Sequence, residues 1–339
     1  MSSPEVRSLR PTPNQYAYAF GGHEPLLTVA PGTVVELSTE DCFAGNVRSV
    51  DDLLSEVCTF PFLNPVTGPI AVEGAEPGDT LAVHFAEITP ARDWAASSTF
   101  PHFGALTATH ATAMLHPALE ERVWIYDLDR AAGTCTFRAR RCDVVVELPL
   151  DPMHGTVGVA PAAGEVLMSI TPAAHGGNMD TPEMRAGVTA YFPVNVPGAM
   201  LSIGDGHARQ GEGEVCGTAV EAAMSTVVVL DLVKGQAPVS PRIESDDFLM
   251  TTGSARPLED AYRMSQLDLV GWTGMLLGLD ELDAYQLVSQ AGLAPAGNVV
   301  DTSYTMVAKL PKALLGAVTA YDGVHDRLRA VGADHLRTR

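Results

Sequence analysis

PGTVVELSTED (residues 31–41) and PGDTLAVHFAEI (residues 77–88) have one form, a proline–glycine turn followed by a short apolar run. Proline fixes φ at the first central position of a turn, and glycine supplies the positive φ that can follow. Runs this short, bounded by turn residues, read as strands. Working outward, residues 26–29, 34–37, 81–85, 144–148 and 227–233 read the same way. Pro161 and the pair Pro197 and Gly198 break two further segments. With 31 glycines and 24 prolines in 339 residues, this density of strands and turns predicts a mainly β fold, a β-sandwich or barrel-like body.

The last third changes character. Residues 257–279 carry Leu258, Ala261, Tyr262, Leu269, Trp272 and Leu276 at helical spacing, with Glu259 and Asp260 in the first turn, where the helix dipole favours negative charge. Asp280 is placed to cap a second helix, with Asp283 three positions on. That helix runs to Gln290, and Gly292 stands where a C-terminal glycine is expected. Residues 299–307 read as a return to strand and residues 314–339 as a helical tail. The expected organisation is a β-rich catalytic body, residues 1–255, with a smaller α-helical and mixed C-terminal part, residues 256–339, packed on the same core.

Hydrophobic residues make up 46% and charged residues 18%, the balance of a globular chain. The net charge of −20 repels polyphosphates and no basic cluster offsets it, so no nucleic-acid partner is expected. The first twenty residues hold no apolar core of a secretory signal, and no run of about 18 apolar residues suggests a membrane span. Five cysteines at irregular spacings, without Cys-x-x-Cys, argue against a disulfide framework. A reduced, cytoplasmic protein is expected.

The chemistry centres on GDGHARQGEGEVCGTAVE (residues 204–221), which packs Asp205, His207, Gln210, Glu212, Glu214, Cys216 and Glu221 among five glycines. Glycine weakens both helix and strand, so this composition suits either a backbone approaching a ligand or a solvated loop. Asp205 and His207, two apart, point the same way in an extended segment and form a normal ligand pair for zinc or a similar ion. Other histidines stand beside glycine: His23, His154 and His175, the last followed by Gly176, Gly177, Asn178 and Asp180. Asp41 lies just past a predicted strand, and Glu73 and Glu76 flank Gly74 and Ala75 before a turn. His84 lies within a strand, and His102, His110, His116, His325 and His335 read as surface residues.

Several nucleophiles fall away. Gly-x-Ser-x-Gly and His-Glu-x-x-His are both absent. Cys216 sits among carboxylates that oppose thiolate formation. A phosphate-cradling loop is also missing. Water activated by a divalent ion remains, with Glu214 first choice to take its proton and pass it to a leaving nitrogen.

These segments resemble the acetamidase/formamidase family. The resemblance runs through NPVTGPIAVEGAEPGDTLAV (residues 64–83), HGTVGVAP (154–161), HGGNMD (175–180) and YFPVNVPGAMLSIGDGHARQGEGEVCGTAVE (191–221), and more loosely through residues 258–300. It implies hydrolysis of a short aliphatic amide, such as formamide or acetamide, to carboxylate and ammonia. It also implies a homodimer or higher homo-oligomer and a divalent metal, zinc first and calcium as the alternative. Carried onto this chain, the metal set is Asp41, His154, Asp205 and His207. The catalytic pair is Glu214 and His175, and the substrate contacts are Asn178 and Gln210, with His154 and His175 open between metal and substrate. Glu212 departs from the Asp usual there. Residues 91–119 have no clear counterpart, which keeps open a larger amide, a cyclic imide or a carbamoyl compound as substrate. A metal-binding β-domain without catalysis is the reading from another class.

Overall fold

The segment Met224–Val233 (MSTVVVLDLV) organises the fold. Its side chains alternate between two hydrophobic cores, Val228 and Leu230 entering one, Val227 and Val229 the other. A strand buried on both faces reads as a continuous apolar run, which is why this stretch does not alternate with polar residues. Its neighbours divide the same way. Val35, Leu37, Leu81, Val83 and Phe85 enter the first core, Val34 and Ala82 the second.

A computed structural model describes residues 4–107 and 119–339. Nine strands form one sheet in the order Val6–Leu9, Thr33–Thr39, Met224–Val233, Thr80–Pro90, Thr189–Pro193, Arg242–Glu244, Phe248–Ala255, Tyr304–Pro311, Ala296–Asn298. A second sheet runs Val145–Pro149, Thr134–Arg138, Arg122–Asp129, Trp94–Thr99, Val220–Glu221, Leu201–Arg209, Met153–Gly158, Gly176–Asn178, with Val66–Val72 also pairing to Leu201–Arg209. Neither sheet closes on itself, so the body is a sandwich rather than a barrel. Ile70, Val157, Leu201 and Ile203 of the second sheet meet the first sheet in the inner core.

The helices Leu258–Leu277, Glu281–Ala291 and Val324–Thr338 belong to a smaller C-terminal part. Trp272, Leu269 and Leu328 cover the outer face of the nine-stranded sheet. Strands from residues 256–339 extend that same sheet, Tyr304–Pro311 pairing with Phe248–Ala255. Asp280 caps its helix by accepting from the Leu282 and Asp283 amides. Gly292 departs from the expected left-handed cap: its φ is −73°, and a Cβ there would crowd Val288 O at 2.7 Å. The strand expected at residues 299–307 lies later, at Tyr304–Pro311, and the final helix begins only at Val324. No helix of the described residues is long and apolar enough to cross a membrane.

One histidine expected at the surface is buried. His325 lies in the first turn of the last helix, on its buried side, where Thr189 Oγ1 stands 3.0 Å from His84 Nδ1 and 2.9 Å from His325 Nδ1. Burial lowers the His84 pKa from 6.5 to about 3, with His325 adding to the effect. On acidification the unfolded chain therefore takes up this proton first. The contribution is full above about pH 6.5 and is lost as pH falls toward 3. Urea midpoints measured across that window should show stability falling by up to about 1.4 kcal/mol per pH unit from this group. His84→Gln should flatten the slope by that amount, and an unchanged slope would contradict the assignment.

Candidate active site

Contrary to the loop reading, residues 204–209 lie within a buried strand, Leu201–Arg209. The glycines serve close packing rather than solvation. A Cβ on Gly204 would collide with Pro65 O, and one on Gly206 with Met224 Cγ and with Ala222 O at 2.6 Å. On the neighbouring strand, a Cβ on Gly155 would collide with Asp180 Oδ1 and stand 2.6 Å from Asp205 Oδ2 and 2.9 Å from His207 Cε1. The space beside Gly155 is thus filled by functional side chains.

Those side chains form one cluster. His207 Nε2 stands 3.3 Å from Asp205 Oδ1, 3.2 Å from Glu221 Oε2 and 4.0 Å from Asp180 Oδ1. All four atoms are buried without a hydrogen-bond partner. Glu214 completes a further group with His207 and Glu221. Asp301 adds a fifth carboxyl, held by Asn178 Nδ2 at 2.6 Å. Among the described residues, no lysine or arginine side chain pairs with any of these five carboxyls.

The imidazole tautomer follows from its other nitrogen. Gln210 Nε2 donates to the carbonyls of Asp180 (2.5 Å) and Gly297 (3.1 Å), which turns Gln210 Oε1 toward His207 Nδ1 at 2.9 Å. Nδ1 therefore carries the proton, and Nε2 of the neutral ring directs a lone pair at carboxylate oxygens. Lone pairs facing one another in a buried space need a positive charge between them. A second proton on the imidazole would supply it, and so would a divalent cation. One imidazole with three carboxylates is a normal donor set for zinc or a similar ion, so these residues fit a metal.

Charge and burial set the protonation of each group. Burial opposes charging His207, but Glu221 and Asp205 hold its pKa well above the usual histidine value. Burial pushes Asp205 up, yet His207 and the surrounding hydrogen bonds keep it below the usual range. Asp180 and Glu214 are driven well above theirs by burial and by the neighbouring carboxylates. Burial also lifts Glu221 to about 6 and Asp301 to about 7.

A supporting shell fixes the cluster. Asn178 Nδ2 donates to Asp180 Oδ2 at 2.7 Å, while its Oδ1 accepts from Asn64 and Thr156. Asn64 also donates to Asp205 Oδ2 at 3.0 Å, and the Ala219 amide holds Glu221 Oε1 at 2.6 Å. Asn64, Asp180, Asp205 and Glu214 all have φ between +45° and +53°. For residues other than glycine this backbone region costs of order 1–3 kcal/mol each and persists where the surroundings enforce it.

The expected residues therefore divide. Asp205, His207 and Glu214 come together. Asn178 and Gln210, expected at the substrate, are instead occupied by protein partners and hold the cluster in place. His154 lies outside the cluster, with Nδ1 3.0 Å from Gly204 O and Nε2 2.8 Å from Thr226 Oγ1. Asp41 lies apart as well. It accepts from the Phe43 and Gly45 amides and pairs with Arg92, so it shapes a loop. His175 is buried edge-on to Phe20 at 4.9 Å, and burial lowers its pKa to about 4. It lines neither the cluster nor the cavity above it. Asp180 and Glu221 stood inside quoted segments but had been given no role. Asn64 likewise opens a segment of the resemblance without a role, whereas Cys42 and Asp301 carried no local signal, because chain folding alone brings them there. Cys42 Sγ lies within 4.8 Å of carboxylate oxygens of Asp205 and Glu221, and burial with those charges pushes its thiol pKa well up.

Comparison with known proteins follows the same segments. The model of the Acetamidase/Formamidase family matches residues 22–167 and 148–264. An acetamidase of Mycolicibacterium smegmatis is 30% identical over 262 residues, 61% of this chain and 63% of that protein's length. The chain thus spans less than two thirds of that relative. The crystal structure of acetamidase from Yersinia enterocolitica is 41% identical, with a TM-score of 0.87 over 92% of this chain and 94% of that one. That of acetamidase from Bacillus halodurans is 26% identical, with a TM-score of 0.82 over 92% and 100%.

Crowding at Gly155 is directly testable. Gly155→Ala should lose about 1–3 kcal/mol in urea unfolding. Gly211→Ala, where an added Cβ meets nothing within 4 Å, should stay within about 0.5 kcal/mol of the parent. Equal stabilities would show that the cluster does not fill the space beside Gly155.

Proposed function

The chain belongs to the acetamidase/formamidase family, and from that premise we propose that it hydrolyses the C–N bond of a linear primary amide. Water is the nucleophile, and the products are a carboxylate and ammonia. The observation that carries the reading is the set of four unpartnered buried atoms, Asp180 Oδ1, Asp205 Oδ1, His207 Nε2 and Glu221 Oε2. These residues would hold a divalent cation, which would supply Lewis acidity and activate water near neutral pH. Zinc or a similar ion suits the imidazole better than calcium, which favours oxygen ligands.

The chain's own residues supply the rest. Glu214 lines the cavity that opens on the cluster. Its carboxylate takes a proton from the attacking water and returns it to the departing nitrogen. Gln210 keeps the lone pair of His207 on Nε2, and Asn178 and Asn64 hold Asp180 and Asp205 in register. A cysteine nucleophile is disfavoured. The Cys42 thiol stays protonated beside Glu221 and Asp205, and Cys216 is exposed, its Sγ 3.1 Å from Thr218 O.

Ammonia release from formamide and acetamide, before and after chelation, tests the reading. Activity should vanish with the metal and return when it is restored, and full activity in metal-free protein would sink the metal-dependent route. Glu214→Gln should lower kcat by about a hundred- to ten-thousand-fold with metal content unchanged by elemental analysis. Gln210→Leu should instead weaken metal affinity by about 10–100-fold, as loss of a partner that orients a ligand does.

A further inference from the structure

Asp205, Glu214, Glu221 and Asp301 of the cluster form the acidic floor of a cavity of about 410 Å³ that also takes in Asn64. Its walls are apolar: Phe43, Leu54, Leu63, Phe100, Phe103 and Ile170. At about 30 Å³ per water, this space equals roughly a dozen waters, whereas acetamide displaces only about two or three. Cavities of about 300–1,000 Å³ with apolar walls and few convergent polar groups are the sites of larger organic ligands.

The walls are held by specific contacts. Phe103 lies against Gly217, where a Cβ would come within 2.5 Å of its ring. The Ala105 amide donates to Val215 O at 2.9 Å, and a Cβ on Gly104 would stand 2.8 Å from Cys216 O. Phe100 and Phe103 are thereby fixed against the loop that carries Glu214. Both come from the part of residues 91–119 that the structure describes, residues 108–118 lying outside it. Phe43, another residue of the apolar lining, is fixed by Asp41, which accepts from its amide at 3.0 Å.

We propose that the preferred substrate is a primary amide whose acyl group is a larger apolar chain or an arylalkyl group, seated between these walls with its carboxamide on the acidic floor. The inference rests on the hydrolase reading above. Formamide and acetamide leave the walls wet and gain nothing from them. An apolar acyl group displaces that water and contributes remote binding energy to the reacting centre.

The test is kcat/KM for ammonia release from the metal-loaded protein across formamide, acetamide, butanamide, hexanamide and 3-phenylpropanamide, with calorimetric binding of each amide alongside. The expected result is a rise of about threefold to fourfold per added methylene until the cavity is full. Phe103→Ala should cut the ratio of 3-phenylpropanamide to acetamide kcat/KM by about tenfold, and Leu63→Trp, which narrows the cavity, should shift preference toward acetamide. Acetamide turned over at least as efficiently as the larger amides would overturn the inference and leave the hydrolase reading standing. Binding of 3-phenylpropanamide without ammonia from any amide would overturn the hydrolase reading, and the substrate assignment with it.

Discussion

The lone pair on His207 Nε2, facing the buried oxygens of Asp205 and Glu221, is the constraint on which the site depends. Like partial charges at 3.2 and 3.3 Å are not stable in a protein interior without a cation or a proton between them. Every neighbouring feature serves that requirement. Gln210 fixes the tautomer, and the Ala219 amide holds one oxygen of Glu221 so that the other faces inward. Asn178 bridges Asp180 and Asp301, two carboxyls far apart in sequence. The left-handed backbone at Asp180, Asp205 and Glu214 is the conformational cost of aiming three acidic side chains at one point.

The sandwich offsets that cost. Met224–Val233 is buried on both faces, so one strand supports the core between the sheets and the core beneath the helices. The inner core lies directly against Leu201–Arg209, through Leu201, Ile203 and Ala208. Residues on the same strand that point toward the cluster are thus anchored by their apolar neighbours. Rigid placement of this kind is what electrostatic catalysis requires, because donors and charges must be set before the reaction begins.

Polarity is divided sharply across the cavity. Its floor is acidic and built from strands and the turns that leave them, while its walls are aromatic and aliphatic and come from loops around Phe43, Leu63 and Phe103. The floor is common to any chemistry of this cluster, and the loops are free to vary around it. The acidic groups and the apolar lining are accordingly supplied by separate parts of the chain.

Much was legible in the sequence. Residues 227–233 and 81–85 declared themselves as strands through apolar runs between turn residues, and residues 258–276 as a helix through periodic spacing, because these signals act over a few neighbouring residues. Asp205, His207 and Glu214 were legible for the same reason, standing close together among glycines. The sequence also marked those glycines as unusual but left a ligand-approaching backbone and a solvated loop both open, whereas the tertiary structure uses Gly204 and Gly206 where Pro65, Ala222 and Met224 approach the strand. Only the tertiary structure brought Asn64, Asp180, Glu221 and Asp301 to His207 and left Asp41, His154 and His175 outside the cluster. The physical reason is range. Propensity and turn chemistry act along the chain, but which lone pairs face one another is decided by strand register and by φ at single residues, and neither is encoded in local composition.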